Sequence, residues 1–213
     1  MNFPAIAYVD IASNLIPFGI GISRIRNIQR ERWVFFVFIL VAMVTEVVTF
    51  WMATQHIHNL WVLQCYNVVE YGSLIILFAA WQHKIVIRKL EYWSIAVFLA
   101  MWTLFKIGGI EKFSDPAEYT HTVSSLFLVV AALVALSDLM KDNELVIFRD
   151  ARFWISSSVL IYFAGNIVLF LYSAGITALR LPALEPFGTL HWAIDIGCNT
   201  MYAIAFLCFR RIQ

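Results

Sequence analysis

The sequence predicts an all-α fold, a polytopic membrane bundle of seven transmembrane helices, on three observations. First, 62% of the 213 residues are apolar and only 14% are charged, where a soluble domain has about 45–50% and about 25%. A water-soluble fold has no way to hide that much apolar surface. Second, the apolar residues gather in seven stretches near the roughly 20 residues that a helix needs to cross the hydrocarbon. Third, Lys and Arg are concentrated in alternate connections between those stretches, as the retention of basic residues on the cytoplasmic side requires.

The helices are expected at about 4–22, 33–52, 60–81, 93–110, 121–140, 153–174 and 187–209, forming one domain over 1–213. The first follows Met-Asn-Phe-Pro with neither a basic segment before it nor a small-residue cleavage site, so it reads as a retained helix and not a signal peptide. The second and third run between tryptophans, Trp33 to Trp51 and Trp61 to Trp81, and Trp93 and Trp154 stand at the starts of the fourth and sixth. These positions match interfacial aromatic belts. The fifth is almost continuously apolar from Leu126 to Leu136, and the seventh runs from Phe187 to Phe209. The longest connections, around Glu111 to Thr120 and Ile176 to Pro186, carry the turn formers Pro116, Pro182 and Pro186. No connection is large enough for a folded soluble domain.

One alternating set of connections holds Arg24, Arg26, Arg30 and Arg32, then Lys84, Arg88 and Lys89, then Lys141, Arg149 and Arg152, and finally Arg210 and Arg211. The other set holds only Lys106, Lys112 and Arg180. Twelve against three predicts an N-terminus outside and a C-terminus in the cytoplasm. The first three helices do not align with the last three, since Pro17 has no counterpart in the fifth, which counts against a transporter built from repeated halves. Cys65, Cys198 and Cys208 all lie inside apolar runs, which suits packing better than a disulfide framework. Nucleic-acid binding has no support.

Polar groups inside a bilayer are costly, about 2.5–3.5 kcal/mol for an ionised one at a helix centre, so their placement is informative. The first helix presents Asp10, Ser13 and Asn14, the second Thr45, Glu46 and Thr49, and the third Gln64, Asn67 and Glu70. The sixth presents Ser158, Tyr162 and Asn166, and the seventh His191, Asp195, Asn199 and Tyr202, at the three- and four-residue steps that share a helix face. The fourth and fifth have no such stripe through their middles, which places them toward lipid. In the expected orientation most of these groups fall in the outer half, with Glu70 and Asn199 near the midplane, while the inner half is mostly apolar apart from Ser156 to Ser158 and the short hydroxyls.

The expected site is therefore an outward polar pocket lined by Asn67, Glu70, Asn166, His191, Asp195 and Asn199, with Asp10, Asn14, Glu46, Gln64, Lys106 and Tyr162 as secondary candidates. Against this stands a plainer role, since intramembrane Asn, Gln, Ser and Tyr also serve as interhelical hydrogen bonds worth about 0.6 kcal/mol each. The four acids Asp10, Glu46, Glu70 and Asp195 face only Lys106 and His191, so some must be neutral, hydrated or bound to a cation. His56, His58, His121 and His191 lie toward the outer side; His56 and His58 read as ordinary loop residues before they read as a metal site. His191 with Asp195 offers two metal ligands at most, so a metal stays undecided.

No cofactor is expected. A retinal needs a Schiff-base lysine in the seventh helix, which has none, and hydrolase and phosphate-loop motifs are absent. The zinc-dependent hydrolases related to alkaline ceramidases carry His-x-x-x-His in their last helix, where this chain has His191-Trp-Ala-Ile-Asp195.

The stretches Tyr66-Asn67-Val-Val-Glu70, Phe153-Trp154-Ile155, Tyr162-Phe-Ala-Gly165-Asn166 and Asn199-Thr-Met-Tyr202-Ala-Ile-Ala-Phe206 resemble those of small bacterial seven-helix membrane proteins associated with sensory two-component systems. The resemblance spans nearly the whole chain and implies a sensory or signalling role in a bacterial inner membrane. The expected function is receptor-like: a small ligand, proton or cation in the pocket biases the inner surface, with Pro17, Gly72, Gly165 and Gly197 as bending points. The basic inner loops are read first as topology signals touching anionic lipid, and second as a dock for a cytoplasmic partner such as a kinase. The alternatives are a transporter or channel for a small solute or ion, and a membrane enzyme that modifies lipid.

Overall fold

The computed structural model describes the backbone of residues 4–24, 30–114, 118–141, 146–179 and 185–209, with the side chains of all of these except 30, 118, 170–179 and 185–187. Expectations concerning Arg26, Pro116, Arg180, Pro182, Arg210 and Arg211, and the side chains of Arg30 and Pro186, lie outside the described residues. The helices are α1 (Ala5–Ser13), α2 (Leu15–Ser23), α3 (Arg30–Thr54), α4 (Leu60–Trp81), α5 (Ile85–Ile107), α6 (Glu118–Leu139), α7 (Ala151–Leu179) and α8 (Glu185–Cys208), with a 3-10 turn at Ile147–Arg149.

No strand occurs among the described residues. Six segments are long and apolar enough to cross a membrane: Ala5–Ser23, Glu31–Thr54, Leu60–Trp81, Ile85–Ile107, Tyr119–Leu139 and Ala151–Leu169. At 24 residues, α8 has the length as well. The chain is an all-α, multi-pass membrane protein.

Several helices outrun their expected ends, because the intrahelical hydrogen-bond ladder does not stop where the apolar run does. The fourth expected helix begins at Ile85 instead of 93, through a polar first stretch that includes Arg88, Lys89 and Glu91. The second begins at Arg30, and the sixth runs on to Leu179. The first is broken into α1 and α2 at Asn14. Pro17 has no N–H to offer the Ser13 carbonyl four residues back, so one rung of the ladder is missing there.

Two compact units divide the chain, Met1–Asn27 with Ala132–Gln213, and Ile28–Ala131. In the second of these, α4 is the centre. Trp81 donates its indole N–H to Glu31 Oε2 at 3.1 Å and Asn59 donates to the Thr49 carbonyl at 3.0 Å, which sets α3 antiparallel to α4. The Tyr71 ring lies 4.3 Å from Phe98, and its hydroxyl donates to Ser94 Oγ at 2.8 Å, which ties α5 to the middle of α4. Tyr71 also meets Phe127 of α6 edge-on at 6.3 Å. Phe35, Tyr71, Leu74, Phe78 and Phe98 are fully buried here. Lipid tails are as apolar as these side chains, so close packing and not water exclusion holds the helices together.

Most of α5 is uncovered, including Val86, Leu90, Trp93 and Leu104, which suits contact with lipid. In α6 the expected lipid-facing surface is interrupted, since Thr120, Ser124 and Ser125 are fully buried.

The C-terminal ends of α3 and α5 stop in the same way. His56 donates its N–H to the Ala53 carbonyl and Ile57 to that of Met52; Gly109 donates to Lys106 and Ile110 to Phe105. Each end has a residue at positive φ, 56° at His56 and 69° at Gly109, the left-handed position that closes a helix and favours glycine. Opposite outcomes are expected at the two sites. Gly109→Ala costs about 1–2 kcal/mol, and His56→Gly is neutral or stabilising by up to about 1 kcal/mol. Equilibrium unfolding in detergent checks both, and a large loss at His56→Gly would mean that the imidazole has a further role.

In the other unit α7 and α8 pack antiparallel: Ser158 Oγ donates to the Cys198 carbonyl at 3.4 Å, and Cys198 Sγ donates back to the Ser158 carbonyl at 3.5 Å. The thiol of Cys198 is thus a packing group, and all three cysteines are free. The α1–α2 segment runs parallel to α8, because Asn199 reaches Ser13 and, further along both, Arg24 reaches the Leu207 carbonyl at 3.3 Å. Ile155, Val159, Phe163, Ala205 and Phe206 form the buried centre of this unit.

Candidate functional site

In the α1–α2, α7, α8 unit, Asn166, His191 and Asp195 come together. His191 Nδ1 lies 3.0 Å from Asn166 Oδ1, and His191 Nε2 lies 3.3 Å from Asp195 Oδ2. Helical spacing builds this group: Asp195 follows His191 by one turn of α8, and Gly165, beside Asn166, lets α7 approach. A Cβ at Gly165 would stand 3.0 Å from Ile194 Cδ1. The Tyr162 ring is 6.1 Å from the His191 ring. Asn166 is 2% exposed, and its Nδ2 has no hydrogen-bond partner.

Both ring nitrogens of His191 face side-chain oxygens of the protein, Nδ1 that of Asn166 and Nε2 that of Asp195. Among the described residues no three His, Cys, Asp or Glu side chains gather in a way that could hold a metal ion.

Along the same unit, Asn199 Nδ2 donates to Ser13 Oγ at 2.8 Å, and Ser13 Oγ donates to the Asp10 carbonyl at 2.7 Å. Asn14 Nδ2 reaches the same carbonyl at 3.4 Å. The expected ligand group Asn199 is therefore an interhelical bond, while the buried Asp10 keeps Oδ1 without a hydrogen-bond partner.

Glu46, Gln64, Asn67, Glu70 and Lys106 belong to the α3–α6 unit. Gln64 Nε2 donates to the Lys112 carbonyl at 3.0 Å, and Tyr66 hydrogen-bonds the Glu70 carboxyl one turn on. Glu46 is half-buried in α3, and its carbonyl accepts from Thr49 Oγ1 at 3.0 Å. Asn67 is 3% exposed, yet neither atom of its carboxamide has a hydrogen-bond partner.

Lys106 is half of an ion pair: its Nζ stands 3.6 Å from Glu111 Oε2 and over the rings of Phe113 and Trp102, at 5.2 and 5.9 Å. Glu111 in turn closes the start of α6. Its Oε1 accepts from the Tyr119 and Thr120 N–H groups at 2.6 and 3.0 Å, and Thr120 Oγ1 donates to Oε2. Sequence reasoning missed Glu111, because a carboxylate in a turn-rich connection looks like a solvated loop residue. The signal was its place five residues beyond Lys106, across Gly108-Gly109. Of the histidines expected toward the outer side, His58 Nε2 bonds the Ser114 carbonyl at 3.0 Å and His121 Nδ1 bonds Ser125 Oγ at 3.1 Å.

The end of this unit at the start of α3 and the turn between α4 and α5 differs from the expectation of a mostly apolar inner half: Arg32, Gln82 and Glu91 are 2%, 5% and 8% exposed. They escaped notice because burial follows helix packing, whereas hydropathy marks only where charges cluster along the chain.

The chain matches no protein-family model, no curated protein and no solved structure.

Proposed function

We propose that the chain is a receptor-like sensory membrane protein, crossing the bilayer seven times with its N-terminus outside, in which intramembrane polar groups receive a small ligand, proton or cation and bias the inner surface toward a cytoplasmic partner such as a kinase. The resemblance to bacterial seven-helix proteins of two-component systems belongs to this reading, and with it a bacterial inner membrane. The seven-span topology is supported by the parallel course of the first and last expected helices and by the twelve-to-three division of basic residues.

One observation carries the functional reading: Asn166, His191 and Asp195 form a continuous polar run between α7 and α8 that leaves the Asn166 amide N–H buried without a partner. A purely structural group would be expected to satisfy its members. The reading is tested by spin labels at Ser23→Cys and Arg149→Cys, on inner ends of one unit, in a background without the native cysteines. Two populated distances are expected, with their ratio shifted by Asn166→Leu. A single distance unchanged by that substitution would contradict a receptor.

A transport reading draws support from the buried Arg32, Gln82 and Glu91, which put polar groups at the inner end of α3–α5. Solute flux in proteoliposomes that disappears with Glu70→Gln would favour it over a receptor. A membrane enzyme acting on lipid would use His191 and Asp195, and stoichiometric bound zinc lost in His191→Ala would favour that reading.

A further inference from the structure

We infer that α4 and α5 hold a binding site for a carboxylate, made by Asn67, Trp102 and Lys106. Three buried donor groups on these helices have no hydrogen-bond partner: Asn67 Nδ2, Trp102 Nε1 and Lys106 Nζ. The register brings them to one layer. Tyr71 of α4 stacks on Phe98 of α5 at 4.3 Å. Four residues back along α4 is Asn67, and four residues forward along the antiparallel α5 is Trp102. Lys106 follows one further turn on, with its ammonium over the Trp102 ring. The layer is closed on one side by the Tyr71–Phe98 stack and on the other by Gln64, which bonds the Lys112 carbonyl.

The chemistry of the site is that of an anion with acceptor oxygens. Lys106 has 8% of its side chain exposed, and its ammonium has a carboxylate nearby only at 3.6 Å, beyond hydrogen-bond reach. Glu111 is ion-paired with that ammonium but takes its hydrogen bonds from two backbone N–H groups and a hydroxyl at the start of α6. The three N–H bonds of Lys106 therefore remain to be made, beside an amide N–H and an indole N–H. A carboxylate offers two acceptor oxygens to such donors, and charge-assisted bonds to an ammonium are the stronger class. Glu70, one turn from Asn67 on the same face of α4, has its carboxyl bonded to Tyr66, and the ligand is expected on the side of Asn67 toward Trp102 and Lys106.

The proposal extends the receptor reading by naming an input, but binding here is independent of the Asn166–His191–Asp195 group. The carboxylate arrives either from water, as a short acid, or from the membrane, as the head of a fatty acid. Purified protein in lipid nanodiscs is titrated with sodium acetate and, separately, with decanoate in the bilayer, against sodium chloride at equal ionic strength. Two readouts are followed: melting temperature and the indole N–H resonance that vanishes in Trp102→Phe. Melting is expected to rise, and that resonance to move, with one of the two acids. Response to acetate assigns an aqueous ligand, and response to decanoate alone assigns a lipid-borne one. Trp102→Phe and Asn67→Leu, which keep the packing volume, are expected to weaken binding about tenfold each, and Lys106→Met to abolish it. His191→Phe is expected to leave it unchanged even if the receptor reading fails. No response to either acid beyond chloride, or an equal response in Lys106→Met, overturns the site.

Discussion

Replacing Glu111 by alanine is expected to lower the unfolding free energy by about 3–5 kcal/mol, the cost of breaking a buried ion pair from one side. Two losses combine. The start of α6 loses the acceptor of the Tyr119 and Thr120 N–H groups, donors that the helix itself cannot satisfy. Lys106, 8% exposed, is left with two aromatic faces as its remaining neighbours of opposite polarity. The double substitution Glu111→Ala with Lys106→Met separates the two. Removing the stranded charge is expected to restore part of the stability, and the unrestored part measures the helix-end bonds. Denaturant or thermal unfolding in one detergent across the four proteins gives the cycle. If Glu111→Ala alone costs less than about 1 kcal/mol, the value of an exposed pair, Glu111 does not hold the end of α5 to the start of α6.

At Gly165 the effect reaches from packing into the polar group. A Cβ there meets only Ile194 Cδ1, at 3.0 Å, and the tip of an isoleucine can rotate away, so Gly165→Ala is expected to cost little. Gly165→Leu adds atoms that rotation cannot clear. A loss of about 1–3 kcal/mol is expected from overpacking, with α7 and α8 pushed apart. The Asn166 to His191 contact, 3.0 Å across that same interface, then opens. The imidazole nitrogen resonances of His191 are expected to change in Gly165→Leu and to stay as in the native protein in Gly165→Ala. Unchanged resonances in both would separate the polar group from the close helix approach.

The helices were legible because bilayer thickness fixes their length, and the tryptophans and basic residues mark their ends. Boundaries were less so, since Ile85 to Tyr92 continues α5 through charged residues that an apolar window rejects. Among the candidate groups, His191 and Asp195 were readable as a pair from their four-residue spacing, and Asn166 from its stripe on the sixth expected helix. Their joining depends on Gly165 and on the register of α7 against α8, which one-dimensional periodicity does not carry. Lys106 stood out as an intramembrane cation, but its partner did not. Glu111 acts through a turn that Gly109 makes possible, and nothing in the apolar run around Trp102 marks its indole N–H as lacking a partner. Asn199 illustrates the opposite outcome. Its polar position suggested a ligand group, and in the fold its amide bridges to Ser13.

The receptor reading requires one direction of the chain through the bilayer, and site-directed labelling of intact cells measures it most directly. Single cysteines are placed at Gln55, Ser114, Lys84 and Lys141, all exposed in the connections between helices, after replacement of Cys65, Cys198 and Cys208. A membrane-impermeant maleimide is expected to label Gln55→Cys and Ser114→Cys in intact cells, and to label Lys84→Cys and Lys141→Cys only after the membrane is opened. The reverse pattern, or labelling of one member of each pair, would contradict the seven-span arrangement with its N-terminus outside.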